Sequence, residues 1–302
     1  MTLSQWLWLV VLSVLWGGSF LFVGIAVKEM PPFTLVLARV ALAAAVLLPI
    51  VLVMGERLPA TLAGWWPFWV MAVLNNVIPF TLIVSGQREI ASGLASVLNA
   101  TTPVWAVLIA WALAGERPSL NRGAGVVVGI AGVAVLVGPD AFAGNRSSAL
   151  GMALCLGGAI SYGFSGLWGR RLKAHPPLVT ALAQLVCSSV MLAPVALVVE
   201  RPWTLAMPGA ATLWAIGGLA VLSTAAAYIV FFHIMRVSGP LNAMLVTILI
   251  PVSAIALGAI VLHEALAARQ FWGAAVIGLA LLAIDGRPTT WLAARLKPAM
   301  RK

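Results

Sequence analysis

Ten apolar runs, each roughly the ~20 residues needed to cross a bilayer and each closed by turn residues, occupy almost the entire chain. They are Trp6–Val27, Phe33–Met54, Trp65–Ser85, Ala91–Leu113 and Gly123–Val137, then Ala149–Trp168, Leu178–Val199, Leu213–Phe232, Leu241–Leu262 and Gln270–Ile284. Pro31-Pro32, Gly55 to Pro59, Gly115 to Asn121, Arg170 to Pro177 and Arg236 to Pro240 are among the breaks between them. Such a chain cannot build a water-facing surface. Only 9% of its residues are charged, where a dispersed domain needs on the order of 25–35% charge on its surface. The expected fold class is therefore an all-α polytopic membrane protein with lipid as its outer solvent.

The net charge of +10 would suggest nucleic acid in a soluble protein, but here the charges lie between spans and report topology instead. With the first residues inside, twelve Lys and Arg fall on inner segments. These are Arg57, Arg117, Arg122, Arg170, Arg171, Lys173, Arg236 and five in the tail. Five (Lys28, Arg88, Arg146, Arg201 and Arg269) fall outside. Both termini are thus expected in the cytoplasm, with residues 287–302 forming a basic cytoplasmic tail. Met1 to Gln5 carries no Lys or Arg and the run after it is too long for a signal peptide, so it should stay as span one. Cys155 and Cys187 sit in apolar runs without ligand spacing and read as small buried hydrophobes, so no metal or cofactor is implied.

The chain also repeats itself. Pro103, Glu116 and Gly125 recur at Pro251, Glu264 and Gly273, each 148 residues later. Pro31-Pro32 matches Pro176-Pro177, and Leu37-Ala38-Arg39 matches Leu182-Ala183-Gln184. Trp16-Gly17 and Ser19 face Tyr162-Gly163 and Ser165, and Ser92-Gly93 faces Ser238-Gly239. The expected units are 1–145 and 146–286, each of five spans. An odd number of crossings makes the second unit enter the membrane from the opposite side. That symmetry underlies alternating access.

Polar side chains at membrane depth turn to the bundle interior or a wet cavity, although Ser and Thr also bond helix to helix. On this basis Trp16, Ser19, Asn75, Asn76, Asn99, Thr102, Trp105, Tyr162, Ser165, Trp168, Tyr228 and Thr247 are candidate lining of a substrate cavity. Pro79, Pro103 and Pro251 each free the carbonyl four residues earlier and are candidate hinges. Arg39 is the one charge well inside a span. It either snorkels to the outer interface or pairs with a substrate carboxylate, and is included in the cavity set. Glu116 and Glu264, where one helix ends and the next begins, fit capping or an inter-helix salt bridge better than substrate contact.

Several chemistries are missing. No Asp or Glu lies at mid-membrane, and His233 stands alone at a span end. There is no Gly-Lys pair, so no phosphate-binding loop for ATP, and His263-Glu264 lacks the second histidine of a zinc-protease motif. No span pairs a Ser with a buried base, which argues against an enzyme. The aromatic and amide faces suit small neutral or zwitterionic solutes, whereas phosphorylated ones would require more interior Lys or Arg.

Two five-span repeats, each with Pro, then Glu thirteen residues on, then Gly nine after that, together with Trp16-Gly17 and Ala38-Arg39, resemble the EamA-type drug/metabolite transporters. The resemblance implies a bacterial inner-membrane exporter of small metabolites. Its cavity would be formed mainly by spans one, three, four, six, eight and nine. Amino acids, including aromatic ones, would be among the substrates. Amphiphilic drugs or a non-transporting bundle are the alternatives. Gln184 stands where the first repeat has Arg39, so no symmetric pair of charges carries over.

Overall fold

A computed structural model describes residues 2–138 and 146–286. The loop at 139–145 and the expected basic tail at 287–302 lie outside the described residues. All described regular structure is helical, and nine helices are long and apolar enough to cross a membrane. They are Leu3–Ala26, Pro32–Val53, Leu62–Gly86, Ser92–Ala114, Leu120–Val137, Ser147–Leu172, Pro177–Glu200, Ala210–Ser238 and Ala268–Asp285. The shorter apolar helix Val246–Val261 stands ninth in chain order, and a single turn, Pro240–Ala243, precedes it. Span numbers below follow that order.

The ends follow local chemistry. Thr2 and Gln5 form a reciprocal capping box on span one, and Thr61 accepts from the Gly64 amide at the start of span three. Spans two and seven each begin on the second residue of a Pro-Pro pair, where the missing N–H is harmless. Span eight runs six residues beyond the Phe232 end expected from its turn residues. Arg236, the break signal, is exposed in its last turn, where a cation complements the helix dipole. The helix stops instead at Gly239, whose φ is 80°. Span nine is correspondingly short.

The two repeats pack as inverted copies. Span one lies on span nine as span six lies on span four, while spans two and seven, and five and ten, pair across the pseudo-axis. The agreement extends to atoms. A methyl on Gly17 would lie 2.9 Å from the Ala254 nitrogen, and one on its counterpart Gly163 would lie 3.1 Å from the Ala106 nitrogen. In lipid, where burial alone gives helices little reason to associate, such small-residue approach is what holds them together. Ser13 and Ser253 hydroxyls, 2.8 Å apart, add a polar tie between spans one and nine.

One buried apolar cluster joins spans two, seven and eight through Leu35, Val40, Leu182, Leu185 and Leu219. A second joins spans one, four, six, nine and ten through Leu12, Leu98, Cys155, Ala254 and Ile277. Tyr162 packs against both, so it marks their junction. Large apolar side chains on the outside, among them Leu7, Val53, Trp214, Ile260 and Phe271, face outward where a soluble protein would place charge.

Candidate functional site

Two π turns position the polar centre. One covers Val73–Val77 in span three and the other Val221–Ala226 in span eight, again 148 residues on. A π turn adds a residue, widens the helix and re-aims its side chains, a feature often found at functional sites. Asn75 and Asn76 come from the first, and Ser223 and Thr224 from the second. Pro79 follows the first turn closely, but its counterpart is Ala227, so proline is not what creates these turns.

Arg39 donates from Nε to Thr224 Oγ1 at 3.0 Å, and its guanidinium carbon lies 3.6 Å from the centre of the Phe80 ring. Its counterpart Gln184 accepts from Asn75 Nδ2 at 3.0 Å. Each of the paired residues therefore reaches the π turn of the opposite repeat. Asn75 Nδ2 also lies 3.4 Å from Tyr228 Oη, and Ser165 Oγ donates to Asn75 Oδ1 at 3.1 Å. The cluster of Arg39, Asn75, Tyr162, Ser165 and Tyr228 brings together five of the residues singled out from sequence. Gln184, Thr224 and Phe80 complete it. The first two carried polar signals on their own spans, whereas an apolar phenylalanine carries none.

Arg39 does not snorkel. It is 9% exposed and turned inward, which overturns the reading that it reaches the outer interface. The Arg170–Glu116 ion pair lies elsewhere, and no carboxylate among the described residues pairs with Arg39. Of its five N–H donors, one is matched by Thr224. The Phe80 face offsets part of the charge by cation–π attraction, worth roughly 2 kcal/mol when desolvated. The half-buried Tyr162 and Tyr228 lie within electrostatic range of the guanidinium.

The other nominated residues are dispersed. Trp16 packs on Phe231 with ring centres 5.2 Å apart, and Ser19 Oγ donates to the Trp16 carbonyl of its own helix. Span four breaks at Ala100-Thr101. Thr102 Oγ1 there donates to the Asn99 carbonyl, Trp105 Nε1 donates to Thr101 Oγ1, and Asn99 Oδ1 is unpartnered. Asn76 is fully buried and donates to Ser188 Oγ at 3.0 Å, so it ties span three to span seven instead of lining a cavity. Trp168 donates to the Pro67 carbonyl at 2.9 Å and carries Arg171 over its ring, which places it at the inner rim and not in the centre. Pro103 stands in the first turn of the helix that follows the span-four break. Pro251 lies within an unbroken helix, and the break in span nine is upstream at Met244-Leu245. Thr247 Oγ1 there donates to the Met244 carbonyl.

The two ends of the bundle differ. At the end that the charge count places inside, a cavity of about 250 Å³ is bounded by Pro103, Val107, Glu116, Arg170, Leu245 and Thr247. Arg170 pairs with Glu116 there and holds its carboxyl below the usual carboxylate range. At the opposite end, three carboxylates each cap the first turn of another span. Glu200 accepts from the Phe33 and Thr34 amides of span two, and Glu264 from the Ser92 and Gly93 amides of span four. Glu29 accepts from the Gly209 amide before span eight at 2.8 Å, which keeps its carboxyl below the ordinary value. Negative charge at a helix N-terminus is stabilised by the dipole. Three carboxylate caps thus tie one end, and the cavity with its Glu116–Arg170 pair lies at the other.

The profile of the EamA-like transporter family matches residues 3–138 and again residues 149–284. The chain is 25% identical over 280 residues to "Uncharacterized inner membrane transporter YedA" of Escherichia coli (strain K12), covering 90% of this chain and 88% of that one. It is 22% identical over 270 residues to "Uncharacterized transporter YoaV" of Bacillus subtilis (strain 168), covering 88% and 91%. "Protein PecM" of Dickeya dadantii (strain 3937) is 25% identical over 245 residues, 78% of each chain. A solved crystal structure superposes with a TM-score of 0.67 at 21% identity, over 98% of this chain and 99% of the other, a likeness of fold.

Proposed function

The chain belongs to the EamA-like transporter family, and from that premise we propose that it exports small zwitterionic metabolites, amino acids including aromatic ones, across the bacterial inner membrane by alternating access. The observation that carries this reading is the buried, carboxylate-free Arg39 at the junction of the two repeats. An uncompensated charge at membrane depth is costly and marks a transport path more often than a structural contact. In this role Arg39 receives the substrate carboxylate. Tyr162 and Tyr228 supply aromatic faces and hydroxyls, and Asn75, Ser165 and Gln184 receive the ammonium and remaining polar groups. In this reading Asn99, Thr102, Trp105, Thr247, Trp16 and Ser19 supply the remaining polar and aromatic lining of the path. A cluster bearing fixed positive charge and no carboxylate disfavours organic cations.

The test is flux from proteoliposomes loaded with phenylalanine, tryptophan, threonine or the matching decarboxylated amines, with and without a pH gradient. Saturable efflux of the carboxylate-bearing solutes, and none of phenethylamine or tryptamine, is expected. No saturable flux of any small solute would remove the transport reading, and flux of amines equal to that of amino acids would remove the role given to Arg39.

A further inference from the structure

The Glu264 latch has a counterpart that is not engaged. Span four ends with Gly115 in left-handed conformation (φ 68°), and the Glu116 amide donates back to the Ala110 carbonyl at 3.2 Å. Span nine ends in the same way 148 residues later, with His263 at φ 55° and the Glu264 amide bonded to the Gly258 carbonyl at 3.1 Å. This shared closure, an amide bonded to the carbonyl six residues before it, projects both glutamates from equivalent places. Glu264 then accepts from Ser92 Oγ at 2.7 Å and from two amides of the span-four start. The counterpart of Ser92 is Ser238. Its Oγ is buried without a partner, and Glu116 is bound to Arg170 instead.

The backbone around Ser238 also departs from its counterpart. In the first repeat the span-three helix stops at Gly86, five loop residues follow, and Ser92 opens an eight-residue helix. In the second, span eight continues through Ser238, and only one turn, Pro240–Ala243, survives before the break. The inner cavity lies between Glu116 and this shortened start of span nine.

We infer that Glu116 and Ser238 form the inner gate latch, engaged in the conformer that opens to the other side. In that conformer Glu116 leaves Arg170 and accepts from Ser238 Oγ, span eight ends about a turn earlier, and Ser238 opens a regular span nine. Glu264 releases Ser92 as this happens. Arg170 is thereby a positioning residue that holds the inner mouth open by competing for Glu116. The inference rests on the alternating-access reading, but its test needs no substrate.

The experiment follows labelling of a single reporter thiol, Val107→Cys, in the wall of the inner cavity. It uses the full chain in nanodiscs on a background of Cys155→Ala and Cys187→Ala. Arg170→Ala should slow labelling by roughly three- to thirtyfold, as Glu116 is freed for Ser238. Adding Glu116→Gln or Ser238→Ala to Arg170→Ala should return the rate to that of the parent, and the two together should do no more than either alone. Glu264→Gln, which removes the opposite latch, should slow labelling like Arg170→Ala. Independent effects of Glu116→Gln and Ser238→Ala, or an Arg170→Ala effect that survives them, would overturn the latch. Because the readout is accessibility, a protein that moves no amino acid can still pass or fail it.

Discussion

Arg39 and Gln184 hold the same position in the two repeats, and each crosses the pseudo-axis to a π turn, Arg39 to Thr224 and Gln184 to Asn75. The exchange of one charge for an amide is what makes the centre of an otherwise symmetric molecule electrically one-sided. Arg39→Gln restores the symmetry. Loss of a charge-assisted bond to a carboxylate, about 1.5–3 kcal/mol, should raise the KM for amino acids at least tenfold. The thermal midpoint should stay level or rise, since a buried unpaired charge is being removed. Flux and thermal unfolding on the same preparation distinguish a transport role from a structural one, for which the midpoint would fall instead.

Gly258 leaves the space in which the outer latch closes. A methyl group there would stand 2.7 Å from Glu264 Oε2 and 2.8 Å from Ser92 Oγ. Gly258→Ala should therefore weaken the outer seal, at a cost of about 1–3 kcal/mol for overpacking. Solute-sized thiol reagents added outside should then reach a cysteine placed at Tyr228 faster than in the parent.

His263 adopts a left-handed backbone that its counterpart Gly115 adopts without strain. Replacing it, His263→Gly, should stabilise the protein by about 1 kcal/mol, seen as a rise of a few degrees in Tm, with the latch intact. The reverse change, Gly115→His, should cost a similar amount.

Arg170 depresses the Glu116 carboxyl below its ordinary value of 4.5. A lowered carboxylate contributes above its ordinary value and is lost only as pH falls through the lowered one. The inner ion pair should thus persist unchanged from pH 8 down past that ordinary value, and Val107→Cys labelling, expressed relative to a free thiol labelled at the same pH, should stay constant across this window. Both partners are close to half exposed (45% and 48%), so added salt should weaken the pair where acid does not.

Much of this architecture was legible in the residues. Apolar length and turn residues located the ten helical segments, and a steady spacing between Pro103, Glu116 and Gly125 and their later copies exposed the duplication. Position at helix ends suggests capping or an inter-helix salt bridge for both Glu116 and Glu264, without saying which does which; Glu264 caps span four and Glu116 pairs with Arg170. The centre was legible only in part. Asn75, Tyr162, Ser165 and Tyr228 stand out as polar groups in apolar runs, but nothing local tells Asn75 from Asn76. That difference depends on a π turn, an extra residue absorbed under tertiary packing. The inward turn of Arg39 likewise depends on Phe80 and Thr224, far apart in sequence. Prolines misled for a related reason. They permit a break but do not locate it, and the break in span nine lies upstream of Pro251.

Three glutamate caps at one end, with Glu116 and Ser238 unengaged with each other at the other, would tilt the carrier proposed above toward the cytoplasm-facing form. For a carrier moving solute without a coupled ion, such a tilt cannot choose the direction of net flow, because the Haldane relation fixes the ratio of Vmax/KM for influx and efflux at unity. What it does set is half-saturation on each face. Solute should be gathered at lower concentration from the compartment that the idle protein already faces.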